Sequence, residues 1–126
     1  MFGKKLDTRQ KILSLKEILQ RAGDARVMWV RGCFDPLLAA HASRIAELRT
    51  PGASVAVLLC DPPSPLLAAR ARAELVAGLA AVDYVVVDGV APEGAAVIDL
   101  NDPPLRESFM EHVRKRHSSA HNGVKA

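Results

Sequence analysis

Met28-Trp29-Val30-Arg31-Gly32-Cys33-Phe34-Asp35-Pro36-Leu37-Leu38-Ala39-Ala40-His41 reads as a strand handed over to a helix through a glycine turn. Residues 27–31 have the apolar run of a buried strand. Asp35 is placed to cap the following helix, and Pro36 suits its first turn, where a missing N–H costs nothing. Unpaired N–H groups at such a helix start, with the positive end of its dipole, make an anion site. Gly32, lacking a Cβ, would let a ligand come close to the backbone.

Outward from this stretch, strands and helices alternate. Upstream, Ile12, Leu15, Ile18 and Leu19 recur at helical spacing, predicting an amphipathic helix over 11–21 that Gly23 can end. Downstream, Leu37, Leu38, His41, Ile45 and Leu48 form a helical stripe, stopped by Thr50-Pro51-Gly52. Residues 54–60 are almost wholly apolar, which suits a strand covered on both faces. The proline-rich connection 61–65 can be neither helix nor central strand. A helix is predicted over 66–80 and a third buried strand over 83–87. A weaker strand follows over 95–100, and a last helix over 105–116. This order predicts an α/β domain, a Rossmann-like three-layer sandwich with a mostly parallel sheet of about four strands. In such sheets ligands bind beyond the carboxyl ends of the strands, where strand order reverses. The quoted stretch ends at that edge, so fold and motif point to one place.

The chain has 126 residues, 49% hydrophobic and 25% charged, which suits one small globular domain and not two. We expect a flexible leader over 1–10, the folded domain over 11–117 and a disordered tail over 118–126. Asp83 interrupts the longest apolar run, so no membrane span is expected. The first residues lack an apolar signal core, and a cytoplasmic protein is the expectation. The formal net charge is +3, with much of the excess in Lys4-Lys5 and Arg114-Lys115-Arg116. These read as solvated ends, and nucleic acid is not an expected partner. Cys33 and Cys60 make neither a disulfide framework nor a zinc site and read as small buried side chains. Cys33 has no evident base that would make it a nucleophile. His112, His117 and His121 have no common metal-ligand spacing, so no metal site is expected.

The central stretch resembles the nucleotide-transfer signature of the cytidylyltransferase-like superfamily, G-x-F-D-x-x-H-x-G-H. Gly32, Phe34, Asp35 and His41 match it, whereas Leu38 stands for the first His and Ala40 for the second Gly. Residues 11–17 and 72–86 extend the likeness to the adenylyltransferase domain of the heptose-phosphate enzymes, which make ADP-heptose for lipopolysaccharide biosynthesis. The resemblance covers roughly residues 11–88. It implies transfer of AMP from ATP to a sugar 1-phosphate, with release of pyrophosphate. The sugar phosphate is its own nucleophile, so the protein contributes positioning and charge stabilisation. The two histidines of the signature lie three apart on one helical face, both aimed at the phosphates.

The same resemblance assigns nucleotide or phosphate contacts to Gly32, Cys33, Phe34, Asp35, His41 and Arg72, with His41 the one catalytic candidate. Leu38 can donate no hydrogen bond, and Ala40 adds a methyl where the signature leaves space. A lysine-containing loop after the second strand is replaced by 61–65, and a Ser/Thr-rich motif has no counterpart in 101–108. Each residue also has a plainer reading. Asp35 is a helix cap, Phe34 a core residue, and Leu38 a filler of the space left by the missing imidazole. His41 is a satisfied helix histidine, and Arg72 is either a ligand contact or one side of a surface ion pair.

The leading expectation is therefore a degenerate nucleotidyltransferase-like domain that keeps a nucleotide or phosphate pocket with weak or no transfer. One alternative is an active adenylyl- or cytidylyltransferase acting on a sugar 1-phosphate, with Arg31 or Arg70 supplying charge. Another is a non-catalytic structural or regulatory partner of an active homologue. ATP or CTP, and a sugar phosphate, are the expected small-molecule partners, with a homodimer or a complex with that homologue also open. No permanently bound cofactor is expected; Mg²⁺ would accompany the nucleotide if the domain is active.

Overall fold

β2 (Ala53–Leu59) is buried along nearly its whole length because the sheet is covered on both faces. Val55, Val57 and Leu59 point to one side, where they meet α2 (Ala39–Leu48) and α3 (Ala69–Ala77) through Ile45, Ala73, Val76 and Ala77. Ala56 and Leu58 point to the other, toward Ile18 of α1 (Leu15–Ala22) and Trp29 of β1 (Arg26–Gly32). A continuous apolar run thus resolves into two alternating faces, as strand geometry requires. In this computed structural model residues 7–87, 89–100 and 113–114 are described.

β3 (Tyr84–Val87) and β4 (Val97–Asp99) complete a sheet of four parallel strands in the order β3-β2-β1-β4. The expected α/β, three-layer, Rossmann-like architecture is therefore present. After β3 the chain crosses over β2 and β1 to reach the far side of β1. Strand order reverses at β1, the kind of position beside which open α/β sheets bind their ligands. Registers run Gly32↔Leu59 between β1 and β2, and Arg31↔Asp99 between β1 and β4. The outer edge of β3 is partly covered: Ile12 bridges Val85, and the Leu13 N–H donates to the Val85 carbonyl at 2.9 Å. Such cover blunts an edge that could otherwise pair with another chain.

Element boundaries differ from expectation for local reasons. The first helix begins at Leu15 and not at residue 11, because Ser14 caps it in a reciprocal box with Glu17. Thr8–Lys11 instead form a 3₁₀ turn opened by Asp7. α3 begins at Ala69 and not at residue 66, since the N–H groups of Leu66 and Leu67 are held by Asp35. It ends at Gly78, short of residue 80. β4 is limited to Val97–Asp99. The last helix expected over 105–116, and the tail over 118–126, lie outside the described residues except for 113–114.

At the amino end of the sheet, Asp83 accepts from Val55 N–H at 2.8 Å and from Arg49 at 3.1 Å. That edge is closed by structural bonds. The opposite, carboxyl edge carries the motif.

Candidate functional site

The site is built from three segments that meet at the carboxyl ends of β1 and β2. These are the turn 33–38, the first turn of α2, and the connection 60–68 leading to α3. Gly32 is required by its own neighbour. A Cβ there would lie 2.6–2.7 Å from the ring of Phe34, which folds back over the glycine. Phe34 itself has a left-handed backbone, φ 50°, unusual for a bulky residue, and is almost wholly buried. Its place is in the core cluster with Val30, Ile45 and Val57. The glycine that was expected to admit a ligand therefore admits a side chain. We expect Gly32→Ala to cost about 1–3 kcal/mol in urea unfolding, because the ring has no free space into which to retreat.

Asp35 does not cap the helix that follows it. α2 starts at Ala39, with Leu38 as its N-cap residue and no side-chain cap oxygen there. The Asp35 carboxylate is buried and accepts from Leu66 N–H at 2.6 Å and Leu67 N–H at 2.8 Å. It thus ties the β1 turn to the entry of α3, some thirty residues later in the chain. The sequence showed a cap-type residue beside a proline but not which N–H groups it would meet. Removing the carboxylate leaves two N–H groups without their acceptor. Asp35→Ala is therefore expected to lower unfolding free energy by about 2–3 kcal/mol, and Asp35→Asn, which keeps one acceptor oxygen, by about half as much.

His41 lies at the third position of α2 and is only 8% exposed. Its Nδ1 accepts the Leu38 N–H at 3.0 Å, so the imidazole satisfies the N–H of the N-cap residue itself, the reach-back half of a capping box. In the neutral ring this leaves the proton on Nε2. The ring of Phe34 packs edge-on to it at a centroid distance of 5.2 Å. Leu38 is half-buried, while Ala39 and Ala40 are exposed. The outer face of the helix's first turn is thus open.

Arg72 is neither a surface ion pair nor an outward-facing ligand group. It is 1% exposed, and its guanidinium is spread over four acceptors. Nε donates to Leu67 O at 3.0 Å; Nη1 donates to Cys33 O at 3.0 Å and Cys60 O at 2.9 Å. Nη2 meets the exposed carboxylate of Asp61 at 2.6 Å. Arg70 takes the surface role instead, 3.4 Å from Glu74. The stripe Arg72, Ala73, Val76 and Ala77 was the available signal, since an arginine on it must turn inward.

The structure thus brings Gly32, Cys33, Phe34, Asp35, His41 and Arg72 together at one sheet edge. Hydrogen bonds and a ring contact tie these residues to one another and to the connection 60–68. Cys60 and Asp61 belong to this constellation and were not singled out as site residues. Among the described residues no group of three His, Cys, Asp or Glu could hold a metal ion. His112, His117 and His121, and the segment 101–108, lie outside the described residues.

A glycine turn after β1 of a parallel sheet, a histidine at the start of the next helix and an inward arginine on α3 form one pattern with the motif. The chain is similar to bifunctional protein HldE. It is 35% identical over 89 residues to HldE of Helicobacter pylori (strain ATCC 700392 / 26695), an overlap covering 64% of this chain and 19% of the relative. The Campylobacter concisus (strain 13826) HldE is 34% identical over 96 residues, or 68% of this chain and 20% of the relative. The Ectopseudomonas mendocina (strain ymp) HldE is 34% identical over 89 residues, 60% and 19% respectively. The chain therefore matches about a fifth of the length of these curated relatives. No family model matches it, and no solved structure does. The resemblance read from the motif is supported, and the domain is nucleotidyltransferase-like. Among the described residues, no helix is long and apolar enough to cross a membrane.

Proposed function

We infer that this domain binds the phosphates of a nucleotide at the open first turn of α2 and transfers nucleotidyl groups weakly or not at all. The observation that carries the reading is the division of labour at the sheet edge. Ala39 and Ala40 leave the helix start accessible, whereas Asp35 and Arg72 are bonded into the protein. Phosphate binding needs N–H groups and the dipole. The Leu38 and His41 N–H groups are bonded internally, which leaves the reading to the exposed Ala39 and Ala40 at the helix start. Transfer needs, in addition, donors aimed at charge developing on the α-phosphate. Leu38 has none, and Nδ1 of His41 is engaged by the backbone.

The likeness to HldE and to the heptose-phosphate adenylyltransferases supports ATP as nucleotide, with CTP the alternative, and a sugar 1-phosphate as the second substrate. In that reaction a phosphate oxygen of the sugar attacks the α-phosphorus of ATP. The bond to the β-phosphate oxygen breaks, and pyrophosphate leaves. No group among the described residues fits a bound metal, so Mg²⁺ would enter with the nucleotide's own phosphates. This reading puts the protein in the cytoplasm, where ATP and sugar phosphates are made and used.

A second reading is favoured by the inward bonding of Asp35, His41 and Arg72: a non-catalytic partner of an active homologue, as a mixed assembly or beside a homodimer. An active transferase would need outward charge from Arg31 or Arg70, and Arg70 is already paired with Glu74.

A nucleotide screen separates these. Under the leading reading, ATP or CTP with Mg²⁺ raises the melting temperature, as ligands of the native state must. At the same protein concentration, pyrophosphate release with sugar 1-phosphates stays near the uncatalysed rate. No thermal shift with any nucleotide would overturn the binding reading in favour of the partner reading. Rapid pyrophosphate release would overturn it in favour of the active enzyme.

A further inference from the structure

Cys33 and Cys60 occupy corresponding places, one residue past the paired ends of β1 and β2. Gly32 is in register with Leu59, and Cys60 N–H donates to Gly32 O at 3.1 Å. Neighbouring strands run about 4.8 Å apart, within the Cα separation that a disulfide spans. The two sulfurs are 3.2 Å apart, closer than unbonded sulfurs ordinarily rest, and both thiols are free. A second, independent feature holds them there. The same Nη1 of Arg72 binds the carbonyl of each cysteine, so one buried guanidinium fixes both backbones. A disulfide closing here would ask for little movement of either chain segment.

We propose that Cys33 and Cys60 are a redox couple, which a peroxide or a small-molecule disulfide converts into an intrachain disulfide joining the end of β1 to the end of β2.

The two cysteines differ in a way that orders the steps. Cys33 is buried, and burial, with the S–H contact to Cys60, pushes its thiol up to about 12, so it stays protonated at neutral pH. Cys60 is the more exposed of the pair and meets the oxidant. Its sulfur gives up the thiol proton and attacks a peroxide oxygen, the O–O bond breaks, and Cys60 becomes a sulfenic acid while the released hydroxide takes up that proton and leaves as water. Cys33 sulfur then displaces the hydroxyl from Cys60 sulfur, and its proton departs with that hydroxyl as a second water. Two thiols have together lost two electrons, and one peroxide has been reduced to two waters. With a disulfide oxidant, the Cys60 mixed disulfide takes the place of the sulfenic acid and a thiol leaves instead. The product would fasten the turn bearing Phe34 and Asp35 to β2. It would do so whether or not a nucleotide binds.

The test uses the full chain, titrated with hydrogen peroxide and, separately, with oxidised glutathione. Both thiols should disappear together, and the intact monomer should lose the mass of two hydrogens. Non-reducing peptide mapping should find Cys33 linked to Cys60, and dithiothreitol should restore both thiols. Cys60→Ser should leave Cys33 unmodified under conditions that oxidise the parent fully. Stable glutathione adducts on single cysteines, or a disulfide between two chains in place of the internal one, would overturn the proposal. So would a Cys33 that oxidises equally fast without Cys60.

Discussion

Replacing Arg72 by methionine is expected to lower the free energy of unfolding by about 3–5 kcal/mol, with a fall of about 2 M in the urea midpoint. Methionine keeps the aliphatic stem and carries no donor, so most of the loss reports the guanidinium. Three backbone carbonyls, those of Cys33, Cys60 and Leu67, lose their donor. Each buried acceptor without a partner costs about 1–3 kcal/mol, and water has poor access to the interior side of this cluster. The strand ends of β1 and β2 lose a side chain that binds both. Asp61 gives the contrast. It is 62% exposed, so it keeps its hydration when its partner is neutralised. Asp61→Asn should therefore cost about 1 kcal/mol or less, as surface pairs do. An Arg72→Met variant within about 1 kcal/mol of the parent would remove the structural role assigned to this arginine.

That contrast also marks where sequence reading succeeds and where it stops. Periodicity was enough for the architecture. The apolar run 54–60, the helical stripes beginning at Leu37 and in α3, and the proline-rich break between them lead directly to a parallel sheet covered on both sides. The position of the motif at the carboxyl edge followed from the same alternation. What periodicity does not carry is the partner of a polar side chain. Asp35 stands beside Pro36 as a cap would, yet its acceptors are used by Leu66 and Leu67 across a tertiary contact. The helix start moved to Ala39 because the turn 33–38 is occupied by Phe34 folding over Gly32. The 3.6-residue period places Arg72 on the buried stripe of α3, but its charge suggested solvent, and the packing requirement prevailed by giving it four acceptors. Local propensity shows which residues can bond; only the folded topology brings the bonding groups together.

Restoring the two departures from the signature, Leu38→His with Ala40→Gly, is expected to have the largest effect on chemistry. Position 38 is the N-cap residue of α2, and His41 lies three residues on. An imidazole at 38 would stand at the mouth of the helix, where the positive dipole end meets a bound phosphate. His41 can go on accepting the N–H of residue 38, because that bond uses the backbone and not the replaced side chain. Ala40 is exposed, and glycine in its place removes a methyl at a cost below the roughly 1 kcal/mol of a mid-helix site. A donor directed at charge that develops during reaction contributes about 10²–10³ in rate, or roughly 3–4 kcal/mol. The double variant should thus bind ATP more tightly and raise pyrophosphate release with a sugar 1-phosphate by about 10²–10³-fold over the parent. Adding His41→Ala to it should abolish most of that gain, since the His41 bond to the N–H of residue 38 fixes the backbone from which the new imidazole projects. A folded double variant with unchanged nucleotide affinity and unchanged turnover would place the deficit elsewhere. The inward bonding of Asp35 and Arg72 would then be what separates this domain from a working transferase.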